Sequence, residues 1–170
     1  MPFLNVQNKL WCFLFLVLFL SKAEILAQSS ALFDRFESCT GSITAPWITF
    51  SVSGNQQWDC NASGFQNNCA SMNGYANSTN YVNEDWLITP LLDLHSYYNP
   101  RLELEARTKY QDAGLQLYYS TNYSGSGNPN AATWNQLSIA LPPLNSDVWT
   151  RCTFSLNPLK GSSPPASPLR

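Results

Sequence analysis

The sequence predicts an all-β fold, an antiparallel β-sandwich of jelly-roll type. Three observations carry that expectation. Apolar and polar residues alternate with period two through much of the chain after residue 30, where helical periodicity is hard to find. The alternating segments are short, and the stretches between them are dense in Asn, Ser and Gly. Aromatic residues make up 14% of the 170-residue chain against 12% charged, so large rings must supply buried area where aliphatic residues are scarce. Many short strands joined by such turns pack as two facing sheets.

The elements follow in chain order. Leu32–Glu37 opens the domain as a first strand. Trp47–Val52, Asp85–Thr89, Thr133–Leu137 and Val148–Phe154 are further short strands, and 61–83 reads as the longest loop. The clearest alternation runs from Arg101 to Tyr110. Leu102, Leu104, Ala106, Thr108 and Tyr110 share one face, while Arg101, Glu103, Glu105, Arg107 and Lys109 share the other. One apolar and one charged face suit an antiparallel strand with a single solvated side. Leu115–Thr121 repeats the pattern after a turn at Asp112–Gly114, which predicts a hairpin over 101–121. Trp58, Trp86 and Trp134 are expected in the core. The final fourteen residues, 157–170, hold four prolines and no alternation, and are expected to be a disordered tail.

The N-terminus reads as an address. Lys9 precedes eleven apolar residues, Leu10–Leu20. That is too few for a membrane-crossing helix, which needs roughly 20, and it matches a signal-peptide hydrophobic region. Ala27 is the expected cleavage point, making 1–27 a signal peptide and 28–156 the domain. Cys12 lies inside the apolar run, far from that point, so lipid attachment is not expected. Export removes Lys9, Lys22 and Glu24, leaving seven basic and ten acidic residues on a secreted or cell-surface chain with no stable membrane span. So few cations offer no field for nucleic acid. A single histidine, His95, excludes His-pair metal sites and most triads.

Export also changes how the cysteines read. Cys39, Cys60, Cys69 and Cys152 show no C-x-x-C spacing, which disfavours zinc or redox motifs. Two disulfides with three possible pairings are the expectation in an oxidising compartment. Cys39–Cys60 is the preferred bond, with Cys69 and Cys152 paired or free.

Several strings together carry a family resemblance. They are Phe36-Glu-Ser-Cys39, Trp58-Asp-Cys60, Met72-Asn-Gly74, Asn83-Glu-Asp-Trp-Leu-Ile-Thr-Pro90 with Leu92-Asp-Leu94, and Tyr119-Ser-Thr-Asn-Tyr-Ser-Gly125 with Ala132-Thr-Trp134. In that order they resemble the choice-of-anchor J domain, related to the cleaved-adhesin modules of secreted bacterial proteins, over roughly residues 31–156. The resemblance implies a jelly-roll sandwich similar to adhesin and MAM-type domains, non-catalytic and often holding a structural calcium. Relatives of that kind continue past the position of Phe154 with another strand pair, so the domain is expected to be truncated near residue 157, with an exposed edge and an open core.

Candidate sites follow from residue chemistry. Calcium takes six to eight hard oxygen ligands. Asn83, Glu84 and Asp85 gather an amide and two carboxylates at a loop-to-strand junction, and alternation sends Glu84 and Asp85 to opposite faces. Glu37 is the acidic position of the Phe-Glu string, so the metal expectation is a site shared by Glu37, Asn83 and Asp85; the competing reading is solvated loop carboxylates and turn-forming Asx groups. Glu103 and Glu105 project from one strand face at a spacing glycosidases use. Arg101, Arg107 and Lys109 on the same face read instead as a charge-balanced surface. His95 reads as a surface or turn residue. Tyr118 and Tyr123, with Tyr97 and Tyr98, are candidates for stacking on a sugar. Sequons stand at Asn61, Asn77 and Asn122. The function expected is a secreted non-catalytic module that binds an extracellular glycan or protein, or accompanies a neighbouring domain; the alternative is a secreted glycan-acting hydrolase or a fragment of one.

Overall fold

The computed structural model describes residues 31–111 and 114–160. The expected signal peptide and residues 161–170 of the expected tail lie outside them. No helix among the described residues is long and apolar enough to cross a membrane. The fold is all-β, with short 3₁₀ turns at Pro129–Ala131 and Asn157–Leu159 and no α-helix among the described residues.

The strands pair antiparallel as ribbons of two. β1 (Ile48–Ser53) pairs with β6 (Glu84–Ile88), β2 (Asp59–Asn61) with β3 (Cys69–Ser71), and β4 (Tyr75–Ala76) with β5 (Thr79–Asn80). β7 (Arg101–Ala106) pairs with β10 (Thr150–Ser155), and β8 (Tyr118–Tyr119) with β9 (Asn135–Gln136). The expected 61–83 loop therefore contains three short strands. Its tightest turn is Asn77-Ser78, both at positive φ as a two-residue hairpin of the primed type needs.

Two expected elements are corrected. The opening strand over 32–37 is absent, because Asp34 captures the local backbone. Its carboxylate accepts the Phe36 N–H at 2.7 Å and the Trp47 indole N–H at 2.6 Å, and Phe36 turns to φ 58°. The 101–121 hairpin is also replaced. β7 pairs with β10 in the register Leu102↔Phe154 and Leu104↔Cys152, while 118–119 pairs with 135–136. β7 ends at Ala106 because Thr108 donates its hydroxyl to Pro142 O and Pro143 O, and the Thr108 and Tyr110 carbonyls accept from Asp147 and Asn145. Alternation continues to Tyr110, but its partner there is an irregular proline-bearing loop that cannot complete a ladder.

Leucines make the core. Leu92, Leu94, Leu137 and Leu156 are buried together, with Leu32, Leu102, Leu117, Tyr119, Ile139, Phe154 and Leu159 packed around them. The five tryptophans among the described residues are only half-buried, which corrects the expected placement of Trp58, Trp86 and Trp134 in the core. The β8–β9 ribbon separates the two populations. Leu117, Tyr119 and Leu137 turn to the leucines, and the alternate residue Tyr118 meets Trp86.

The Cys39–Cys60 disulfide is present, its Cα atoms 5.9 Å apart, and it ties the irregular 31–39 segment to β2. At the other end, residues 157–160 of the expected tail take part in the fold. Leu159 packs on the leucine core, Asn157 donates its amide to Asn99 Oδ1 at 3.0 Å, and Lys160 donates to Tyr97 O.

Candidate functional site

The β1–β6 ladder positions the first group. Phe50 faces Trp86 and Ser51 faces Asp85, after which the register slips so that Ser53 faces Glu84. This bulge bends β1 and brings the following loop over the start of β6. Gly54, at φ +94°, lies so close to Asn83 that a Cβ there would sit 1.7 Å from Asn83 Oδ1. Trp58 reaches back from the far end of the same loop and donates its indole N–H to the Asp85 carbonyl at 3.2 Å. The loop is thus pinned on both sides of Gln56.

Asn83 donates its amide nitrogen to Tyr81 O at 2.9 Å, which fixes the opposite orientation of its oxygen. That oxygen, both carboxylate oxygens of Asp85 and the amide oxygen of Gln56 are buried and have no hydrogen-bond partner. Burial pushes the Asp85 carboxyl up from its ordinary value. Ser51 across the ladder opposes the rise, although its hydroxyl donates to Ser53 O and Gly54 O, and the Glu84 charge adds to it. Buried acceptors are almost always satisfied in folded proteins, so these four need a cause. A single proton on Asp85 supplies one donor, too few for the group. Amide and carboxylate oxygens are the donor type a hard cation takes, so Asn83 and Asp85 fit calcium on chemistry.

The other expected metal residue has an ion-pair partner of its own. Glu37 is exposed and lies 3.8 Å from Arg35. Glu84 is directed to the opposite face from Asp85, accepting the Trp86 indole N–H at 3.2 Å and the Asn130 amide at 3.0 Å. No three His, Cys, Asp or Glu side chains gather as a metal group among the described residues. Gln56 escaped the sequence reading because no spacing marks a lone Gln in a polar loop; the fold buries its amide oxygen between the Gly54 and Trp58 anchors.

The second group is aromatic and lies on the opposite side of β6. Trp86 packs against Trp134 at 4.8 Å and Tyr118 at 5.9 Å between ring centroids, and Tyr123 packs on Trp134 at 5.8 Å. Of the two expected ligand-binding tyrosines, Tyr118 is half-buried at the ribbon surface. Tyr123 is buried and donates its hydroxyl to Gly127 O, so it supports the ring cluster from within.

The remaining candidates have structural partners. Glu103 is paired with Arg101 at 2.8 Å and Glu105 with Arg151 at 2.9 Å. His95 follows an Asx turn in which Asp93 accepts the His95 N–H and the Ser96 hydroxyl; Tyr97 is half-buried and Tyr98 is exposed. Cys69 and Cys152 carry free thiols that burial pushes up, against Arg107 for Cys69 and helped by Glu105 for Cys152. Neither environment favours a reactive thiolate. Compared with family models, with curated proteins and with solved structures, the chain gives no match.

Proposed function

We propose that the chain is an exported, non-catalytic β-sandwich module of jelly-roll type that binds an extracellular glycan, or a protein carrying one, and uses calcium as a structural ion. The observation that supports ligand binding is the Trp86–Trp134–Tyr118 cluster. Its polar atoms are already engaged: Trp86 with Glu84, Trp134 with Pro129 O, and Tyr118 with Gln116. These half-buried rings therefore offer apolar face to a partner. The exposed amides of Asn130, Asn135 and Gln136 beside them offer hydrogen bonds. Flat rings beside amide side chains suit the apolar faces and hydroxyls of sugars.

The non-catalytic reading draws on the arginine partners of Glu103 and Glu105, which hold both carboxylates in a solvated surface network. Export draws on the Cys39–Cys60 bond, since structural disulfides persist in oxidising compartments. The calcium reading draws on Asn83 and Asp85, whose unanswered oxygens a cation would satisfy. When bound, the ion would neutralise Asp85 and hold the β1–β6 junction closed.

Binding of the purified protein to an immobilised glycan panel tests the reading. Wild type should retain a subset of glycans, and Tyr118→Ala should weaken retention by about tenfold, the loss of one stacking contact. Retention unaffected by Tyr118→Ala would remove the aromatic surface from the account. Glycan cleavage abolished by Glu103→Gln would replace it with a hydrolase.

A further inference from the structure

We infer that the aromatic cluster selects glycans bearing free amino groups, with Glu84 as the residue that binds the sugar ammonium; this rests on the glycan reading above. Glu84 opens β6 and is joined to the cluster directly. Its Oε1 accepts both the Trp86 indole N–H at 3.2 Å and the Asn130 amide at 3.0 Å. Trp86 in turn packs on Trp134 at 4.8 Å and on Tyr118 at 5.9 Å between ring centroids. The carboxylate is therefore held at the N–H edge of a ring that has other rings beside it, and it is exposed to solvent.

Charge balance distinguishes Glu84 from its counterparts. Glu37, Glu103 and Glu105 each pair with an arginine, whereas Glu84 has no ion pair among the described residues. The cations that could answer it are engaged elsewhere. Arg107 pairs with Asp147 and lies over Trp149, Lys109 lies over the Tyr110 ring, and Lys160 donates to Tyr97 O. What remains beside the rings is a fixed negative charge whose second oxygen, Oε2, has no donor among the described residues.

A ligand of matching chemistry carries an apolar face and a positive group at its margin. A sugar ring lying on Trp86 directs its substituents past the ring edge, where the carboxylate stands. A hydroxyl there would only hydrogen-bond to Glu84; an ammonium would also neutralise it, and aromatic faces attract cations. Because Trp86 and Asn130 already orient the carboxylate, little ordering is left to be done on binding. Anchoring Trp86 and Asn130 does not itself require charge, since a glutamine oxygen could accept the same two bonds.

Calorimetric titration of the purified full-chain protein with a glucosamine oligomer, and with the fully N-acetylated oligomer of equal length, tests the inference. The buffer is slightly acidic, so that the sugar amines are charged. Wild type should bind the free-amine oligomer about tenfold more tightly. Glu84→Gln should erase that preference while leaving the affinity for the acetylated oligomer and the melting temperature unchanged. Glu103→Gln should keep the preference. On wild type alone, raising sodium chloride from about 0.1 M to about 1 M should shrink the preference, a readout that needs no variant.

The outcomes separate the two claims. No binding of either oligomer, or of any glycan on the panel, overturns the glycan reading itself. Binding with equal affinity for both oligomers, or a preference that Glu84→Gln leaves intact, overturns the role of Glu84 alone. Oligolysine bound as tightly as the glucosamine oligomer, with neither affected by Tyr118→Ala, would reduce the effect to unspecific charge attraction and overturn the selectivity as well.

Discussion

The β7–β10 and β1–β6 ladders are of similar length and both antiparallel, yet they treat polar groups in opposite ways. Along β7–β10 each carboxylate has an arginine, Glu103 with Arg101 and Glu105 with Arg151, and the other face joins the leucine core. Along β1–β6 a carboxylate is drawn inward beside an amide, and neither finds a donor. The first ladder is complete as a piece of protein. The second leaves acceptors unanswered. A buried acceptor left without a donor costs on the order of 1–3 kcal/mol, which makes the second ladder the less self-sufficient of the two.

The largest effect expected is in the complete region. Leu94→Ala should lose about 2–5 kcal/mol of stability, because the site lies among Leu92, Leu137 and Leu156 and cannot collapse freely. Denaturant unfolding measures it. A loss below 1 kcal/mol would mean that the leucines do not form a close-packed core, and the contrast between ladders would fade.

Removal of the disulfide comes next. Cys39 and Cys60 are 21 residues apart in sequence, and the double alanine variant should lose about 3 kcal/mol through loop-closure entropy. Melts with and without reductant on wild type check this; a reductant-insensitive transition would exclude the bond from the folded chain.

Gly54→Ala sharpens the comparison from the other ladder. The left-handed backbone alone should cost about 1–2 kcal/mol, and the new Cβ must displace Asn83. Stability should fall and calcium-induced stabilisation should shrink together. A variant that loses stability but gains the full calcium increment would detach the loop from the proposed cation site.

The smallest effect is at the Asx turn. The Ser96 hydroxyl, and then the His95 N–H, hold the Asp93 carboxyl below its ordinary value. A depressed carboxylate adds stability above the unfolded value of about 3.9, and loses it as pH falls through the lower folded value. The acid limb of a melting series should therefore move slightly toward neutral pH in Asp93→Asn. An identical limb would show that the turn contributes nothing beyond its own geometry.

Much of the strand content was legible in sequence because side-chain alternation is a local property. Trp47–Val52, Asp85–Thr89 and Val148–Phe154 shift by only one or two residues at their ends, and Glu84 and Asp85 point to opposite faces as expected. The opening strand was not legible, since Asp34 diverts the backbone through hydrogen bonds to Phe36 and Trp47 that no hydropathy pattern encodes. The tryptophans misled for a related reason. Composition counts them as apolar, but each indole N–H needs an acceptor, and Trp47, Trp58, Trp86 and Trp134 all find one while remaining half-buried.

By itself the chain determined which residues face together on a strand, where turns interrupt them, and that Cys39 and Cys60 form a reasonable pair. Those follow from neighbours in sequence and from the reach of a few residues. Tertiary structure alone decided that β7 takes β10 as its partner, that leucines hold the centre, and that the loop after β1 meets Asn83 at Gly54 and Asp85 at Trp58. Partner choice depends on which apolar faces cover one another, and the contacts of Gly54 and Trp58 depend on a bulge that folds one loop over another strand. Neither is a property of any single segment.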